Sequence, residues 1–191
     1  MRCDACQDRQ CRNDKDCFRI GPESLKHYNQ EIADLARIAS SIESRFYGQK
    51  NRLEELIQFA HDMNYRRLGI AFCIGLSEEA ALLSGFLESE FEVFSVCCKT
   101  GAVSKEILAL EKIDPAAYET MCNPIGQALL LNRAHTDLNI ICGLCIGHDI
   151  QFTRYSKAPV TTFIVKDRML GHNPAAALYC RYIRKRLRQE P

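Results

Sequence analysis

Four thiols stand close together near the start of the chain, as Cys3-x2-Cys6-x4-Cys11-x5-Cys17. Two cysteines two residues apart can chelate one metal from a single tight turn, and two more nearby complete a tetrahedral set. The surrounding segment, residues 1–21, is polar and has too little apolar surface to order itself. A bound metal would supply the missing ordering free energy. The competing reading is a flexible tail of reactive thiols. The spacing is knuckle-like without being that of a standard zinc finger. It also departs from the compact ferredoxin run that steps by two, two and three. Cys3, Cys6, Cys11 and Cys17 are thus candidate ligands for zinc or a [4Fe–4S] cluster, which spacing does not separate.

A second group is dispersed. Cys73, Cys98 and Cys145 each close a short apolar run that reads as a strand. In an open parallel sheet, neighbouring strand ends converge on one crevice, the usual ligand site. Cys122 precedes Asn123-Pro124, a helix-opening pair, so its sulfur is expected beside a helix N-terminus, where the thiolate is favoured. Two echoes strengthen the set. Phe72-Cys73-Ile74-Gly75 is matched by Leu144-Cys145-Ile146-Gly147, and Cys122-Asn123-Pro124 by His172-Asn173-Pro174. His172 and His148 are candidate ligands or acid–base groups, set against the commoner role of a capping or structural histidine. Lys99, Lys166 and Arg168 flank the rim and would offset the charge of clustered thiolates; the alternative is that they are solvated, with Asp167 pairing one of them. Structural zinc sites draw ligands from short local hairpins. A set collected from separate strand ends makes a larger cavity, better suited to an iron–sulfur cubane. The opposing reading is that these cysteines simply fill the core as small apolar side chains, as expected of Cys97, Cys142 and Cys180.

Composition narrows the rest. Hydrophobic residues are 47% and charged residues 26% of the 191, the mix of a folded domain with room for its own core. The formal net charge of +1 gives no field to recruit nucleic acid or an anionic membrane. The basic stretch Arg181, Arg184, Lys185, Arg186 and Arg188 alternates with Leu178, Tyr182 and Leu187, the pattern of a solvated helix face. No apolar run reaches the roughly 18 residues of a membrane helix, and Met1–Cys6 lacks a secretory h-region. The expectation is a cytoplasmic protein. In that compartment, 11 cysteines, an odd number, do not read as a disulfide scaffold.

The elements that must position these residues can be read from periodicity. Leu25, Tyr28, Ile32, Leu35, Ile38, Ile42 and Phe46 fall at helical steps from Pro22 to Gly48, and Leu53, Leu56, Ile57 and Ala60 mark a second helix. Strands are expected over 68–73, 91–98, 138–145 and 160–165. Helices are expected from an N-cap at Ser77 to about Glu90, over 105–110, over 125–134 and over 174–187. This alternation predicts an α/β fold: a small doubly wound, mostly parallel sheet of about four strands with right-handed crossovers. The domain reading is a cysteine-rich metal-binding segment, residues 1–21, followed by an α/β domain, residues 22–191, whose helical extension leads into the second cysteine site.

The stretches Cys122-Asn123-Pro124-Ile125 with Gln127-Ala128, Gly143 through Asp149, and Ala158-Pro159 through Lys166-Asp167-Arg168 to Gly171-His172-Asn173-Pro174 resemble an uncharacterised family of bacteria and archaea, many of them anaerobes. The resemblance covers nearly the whole chain, including Cys3, Cys6, Cys11 and Cys17. It implies cysteine-rich proteins with inferred metal binding, and it brings no reaction with it.

Three functions are expected to compete. The first is an iron–sulfur protein with two cysteine sites, passing electrons to a partner or binding a small molecule beside His148, Lys166 and His172 for redox or sulfur-transfer chemistry. The second is a zinc-stabilised, non-enzymatic interaction or regulatory module. The third is a thiol redox enzyme using Cys97 with Cys98, or Cys142 with Cys145. The last pair sits in a strand, so it lacks the helix-opening geometry of a thioredoxin-like motif. No Gly-rich phosphate loop suggests nucleotide use, and nothing in the pattern sets an oligomeric state.

Overall fold

Leu68, Ile70 and Ala71 are fully buried along the strand Arg67–Phe72 (β1), as a near-continuous apolar run requires when both faces of a strand are covered. Gly69 is needed there because a Cβ would stand 2.1 Å from Asn139 Oδ1 and 2.9 Å from Leu131 Cδ1. The computed structural model describes residues 1–188. Within them, β1 pairs in parallel with Glu92–Cys97 (β2) on one side and Leu138–Cys142 (β3) on the other, and Val160–Ile164 (β4) pairs in parallel with β3. The strand order is β2-β1-β3-β4.

The chain forms two compact units, Met1–Lys50 and a second beginning at Asn51. The compositional break at residues 21 and 22 falls inside the first. This unit carries the turns Cys3–Ala5 and Gln10–Asn13 and the helices Gly21–Leu25 (α1) and Gln30–Phe46 (α2). The single stripe expected from Leu25 to Phe46 is thus two helices. The Asn29 side chain accepts the Ile32 amide hydrogen and caps α2 afresh.

In the second unit, Arg52–Asp62 (α3) opens on a capping box between Asn51 and Glu54. Ser77–Leu87 (α4) connects β1 to β2, Pro124–Arg133 (α5) leads from β2 into β3, and His148–Tyr155 (α6) connects β3 to β4. The path steps one way along the sheet from β1 to β2, then back across to β3 and β4. Right-handed crossovers therefore place α4 on one face and α5 with α6 on the other, where those two pack together. The sheet is doubly wound, and its direction of growth reverses between β1 and β3. The core joins Leu56 and Ala60 of α3, Leu83 and Leu87 of α4, Ala128 and Leu131 of α5 and Phe152 of α6 to the strands.

Several boundaries differ from those read in the sequence. Ser77 is the first residue of α4 and not its cap. A 3-10 turn, Ile74–Leu76, comes first, tied by the Leu76 amide to the Cys73 carbonyl as Leu76 becomes fully buried. β3 stops at Cys142 because Gly143 turns to φ +72°. α6 has only Phe152 buried, so it left no apolar stripe to read. The closing helix is two pieces, Ala176–Tyr179 (α7) and Arg181–Arg188 (α8), split by extended backbone at Cys180; neither buries a residue, so no packing enforces continuity. No helix among the described residues is long and apolar enough to cross a membrane.

Candidate functional site

At the carboxyl ends of β1, β2 and β3 the backbone itself brings three cysteines close. Cys73 follows β1 and donates its amide to the Cys142 carbonyl at 3.2 Å; Cys98 follows β2 and donates to the Phe72 carbonyl at 2.9 Å. Cys98 in turn accepts, through its carbonyl, the Asn123 amide at 2.7 Å, which seats Cys122 beside it. Asn123 caps α5 by accepting from the Gly126 amide at 2.8 Å, as its place before Pro124 implied. This edge is where sheet growth reverses, the crevice in which open α/β sheets bind ligands.

The side chains follow. The Cys98 thiol donates to the Cys122 sulfur, and the Ile74 amide donates to the Cys98 sulfur at 3.4 Å. That interaction with Cys98 pulls the Cys122 pKa down to about 5; the electrostatic influence of Lys99 and His148 assists, against the opposing effect of burial. It holds the Cys98 proton in place, and burial and the neighbouring Cys73 push the same way. The pair therefore carries one proton at neutral pH. Cys145 lies in the loop after β3, where its carbonyl accepts the His148 and Asp149 amides, and Arg168 donates to its sulfur at 3.2 Å. The Arg168 pKa is raised chiefly by that bond, with Cys73 and Cys122 also contributing.

Lys99 donates its ammonium to the Thr120 carbonyl and to Cys122. Lys166 reaches over the turn after β1, its Nζ 3.3 Å from where a Cβ on Gly75 would sit. Asp167 does not pair with Lys166 or Arg168; its Oδ1 accepts the Met169 and Leu170 amides. His148 opens α6 and interacts electrostatically with Cys122. The His172 ring accepts the Asp167 amide on Nδ1 at 3.1 Å, and its own amide returns to the Asp167 carbonyl. That is the structural role of a turn-holding histidine.

The remaining thiols separate by environment. Cys142 is fully buried, and its pKa is pushed up to about 11 by burial and then by Glu79. It stays a neutral core thiol, a poor partner for Cys145. Cys97 is half-buried and Cys180 exposed. In the first unit, contacts of the thiols are local: Cys6 accepts the Arg9 amide at 3.5 Å, while Cys11 and Cys17 donate to the Arg9 and Lys15 carbonyls at 3.9 Å. Lys15 pairs with Asp8 and feels Cys17 and Cys6. Cys3 opens the turn Cys3–Ala5 and is exposed. Among the described residues, no three His, Cys, Asp or Glu side chains are arranged to hold a single metal ion.

Gln127 enters the sequence reading only within the family resemblance, with no role given to it. It is fully buried on α5 and donates to the Phe72 and Val96 carbonyls at 3.1 and 2.7 Å, tying the helix to the ends of β1 and β2. Its signal was a polar residue one turn from Leu131 on an apolar helix face.

A family model described as "Protein of unknown function (DUF1847)" matches residues 12–163. That span holds Cys17, Cys73, Cys98, Cys122 and Cys145. The uncharacterized protein MJ0455 of Methanocaldococcus jannaschii is 50% identical over 189 residues, 98% of each chain. No solved structure matches. The resemblance to an uncharacterised bacterial and archaeal family accordingly rests on a match across most of the sequence, and the chain belongs to the DUF1847 family of proteins of unknown function.

Proposed function

We propose that this chain is a cytoplasmic iron–sulfur protein whose principal cluster is held by Cys73, Cys98, Cys122 and Cys145. The observation that carries the reading is the gathering of these four thiols at the sheet's switch point, with Lys99, Lys166 and Arg168 around them. The donors fit the group in kind: soft thiolates, one already favoured as the anion, beside cations that offset negative charge. They also come from separate strand ends and loops, not from one short hairpin. A cubane carries one thiolate on each corner iron, so its ligands stand farther apart than those of one zinc ion. Donors distributed around a crevice suit it better than a single-ion set. When bound, such a cluster supplies one-electron transfer. The protein's own residues would anchor it, screen its charge through Arg168 and Lys166, and present the rim near His148 to an electron-transfer partner or a small molecule.

A second reading, a zinc-stabilised interaction module, draws on the first unit. Cys3 and Cys6 flank a single tight turn, as a knuckle-type ligand pair would.

The test is elemental analysis for iron, zinc and sulfide on protein purified without oxygen. Iron and sulfide are expected, with broad absorbance at about 400 nm from thiolate-to-iron charge transfer, both lost when Cys73, Cys98, Cys122 and Cys145 are changed to Ser. A colourless protein with stoichiometric zinc overturns the assignment.

A further inference from the structure

Residues 99–121 leave the sheet after β2 and return before α5 as a stemmed excursion. Ser104 and Thr120 form an antiparallel bridge, the Met121 amide donates to the Val103 carbonyl at 2.9 Å, and the Lys105 amide donates to the Glu119 carbonyl at 3.0 Å. Lys105 and Glu119 also pair through their side chains at 2.7 Å. Lys99 closes the neck from its side chain to the Thr120 carbonyl. At the base of this stem stand Cys98 and Cys122, flanking the 2.7 Å bond from the Asn123 amide to the Cys98 carbonyl.

We propose that Cys98 and Cys122 form a reversible dithiol–disulfide couple that exchanges with small-molecule disulfides. The 2.7 Å bond from the Asn123 amide to the Cys98 carbonyl sets the two residues side by side, and their side chains interact directly; a disulfide needs Cα atoms about 4.4–6.8 Å apart. The two sulfurs also differ in access. Cys122 is half-buried and open to attack an incoming disulfide, whereas Cys98 is 2% exposed and suits the resolving role. The pairing differs from Cys97 with Cys98 and from Cys142 with Cys145.

The chemistry balances in two exchanges. The Cys122 sulfur attacks a disulfide R–S–S–R; a Cys122–S–S–R bond forms, the R–S–S–R bond breaks, and one thiolate R–S⁻ leaves. Cys98 then gives its proton to that thiolate, and its sulfur attacks the Cys122 sulfur. The Cys98–Cys122 bond forms and the second R–S⁻ leaves, taking a proton from solvent in exchange for the one Cys122 released. Two electrons pass from the protein dithiol to the small disulfide, which is reduced to two thiols. The inference meets the proposed cluster at the same sulfurs: a chain in the disulfide state has two fewer thiolates to offer iron, so oxidation and cluster loading exclude one another.

The experiment treats the reduced, metal-free full-length chain with oxidised glutathione, then maps peptides by mass spectrometry without reduction. A Cys98–Cys122 crosslink, formed with loss of two hydrogens and reversed by dithiothreitol, is expected. The Cys98→Ser chain, confirmed as folded by circular dichroism, should trap glutathione on Cys122 as a mixed disulfide; Cys98→Ala serves if Ser does not fold. Crosslinks mapped to other pairs, or an unmodified Cys122 in a folded Cys98 variant, overturn the couple. Iron and sulfide content, measured separately on the anaerobic protein, keeps the two readings distinct. A chain that loads iron but forms no Cys98–Cys122 bond sinks the couple alone. One that forms the bond but never holds iron sinks the cluster alone.

Discussion

Arg168 sets one guanidinium nitrogen 3.2 Å from the sulfur of Cys145, joining the loop after β4 to the loop after β3 across 23 residues of sequence. Arginine suits this contact because its charge is permanent and its fork can hold a soft anion in a fixed direction. The same guanidinium interacts electrostatically with Cys73 and Cys122, so one cation serves three of the four proposed ligands.

If the proposed cluster is bound, Arg168→Met should leave iron content intact while lowering its midpoint potential, since losing a nearby cation favours its more oxidised state. Arg168 is exposed, so the effect is worth at most about 1 kcal/mol, or ~40 mV for a one-electron couple. Potentiometric titration of the loaded protein reads it, with Arg168→Lys restoring part of the difference. An unchanged potential would show that the contact does not reach the metal.

The Cys98–Cys122 hydrogen bond makes a pH-dependent contribution to stability. Cys122, down to about 5 in the fold against an ordinary thiol value near 9, gives up its proton where the unfolded chain still keeps it. Its contribution is complete above the ordinary value, declines below it and is lost as pH falls through about 5. Cys98 is shifted the opposite way, so its share is present at low pH and fades above the ordinary value. Between about 5 and 9 the metal-free, reduced protein should gain stability as pH rises, relative to Cys122→Ser. Urea unfolding at about pH 5.5 and about pH 8 compares the two; an equal difference at both values contradicts the shared-proton pair.

Gln127 is expected to matter more than an ordinary buried amide, because both bonds it donates end on carbonyls beside the cysteines. Its Oε1 has no hydrogen-bond partner among the described residues. Gln127→Ala removes two buried hydrogen bonds and leaves a cavity, a loss of about 2–4 kcal/mol. Chemical denaturation measures that loss. Alkylation of Cys98, nearly inaccessible in the native chain, should accelerate as the strand ends loosen.

Gly143 governs where β3 stops and the Cys145 loop begins. Its φ of +72° disfavours a side chain, and a Cβ there would stand 2.8 Å from Leu76 Cδ2. Gly143→Ala adds about 1–2 kcal/mol of backbone strain to that clash, and it should lower the thermal midpoint while displacing Cys145 from Arg168. By contrast, Gly147→Ala, with equally unfavourable φ but open space around its Cβ, should pay the backbone cost alone.

The amino-acid pattern alone established what local physics controls. Apolar runs at Leu68–Phe72 and Leu138–Cys142 had to be buried strands, and Asn123-Pro124 had to open a helix. Cysteines at strand ends had to share an edge once the strands were parallel. Strand order lay beyond it, because crossovers of similar length permit several arrangements, and only long-range packing chose β2-β1-β3-β4. Tertiary structure also decided which thiols are neighbours and which are core. Cys98 meets Cys122 across the base of a stem, while Cys142, three residues from Cys145, is sealed inside and keeps its proton. Ionisation and pairing of a thiol depend on the dielectric and charges that distant segments bring to it, and neither is written in its sequence neighbours.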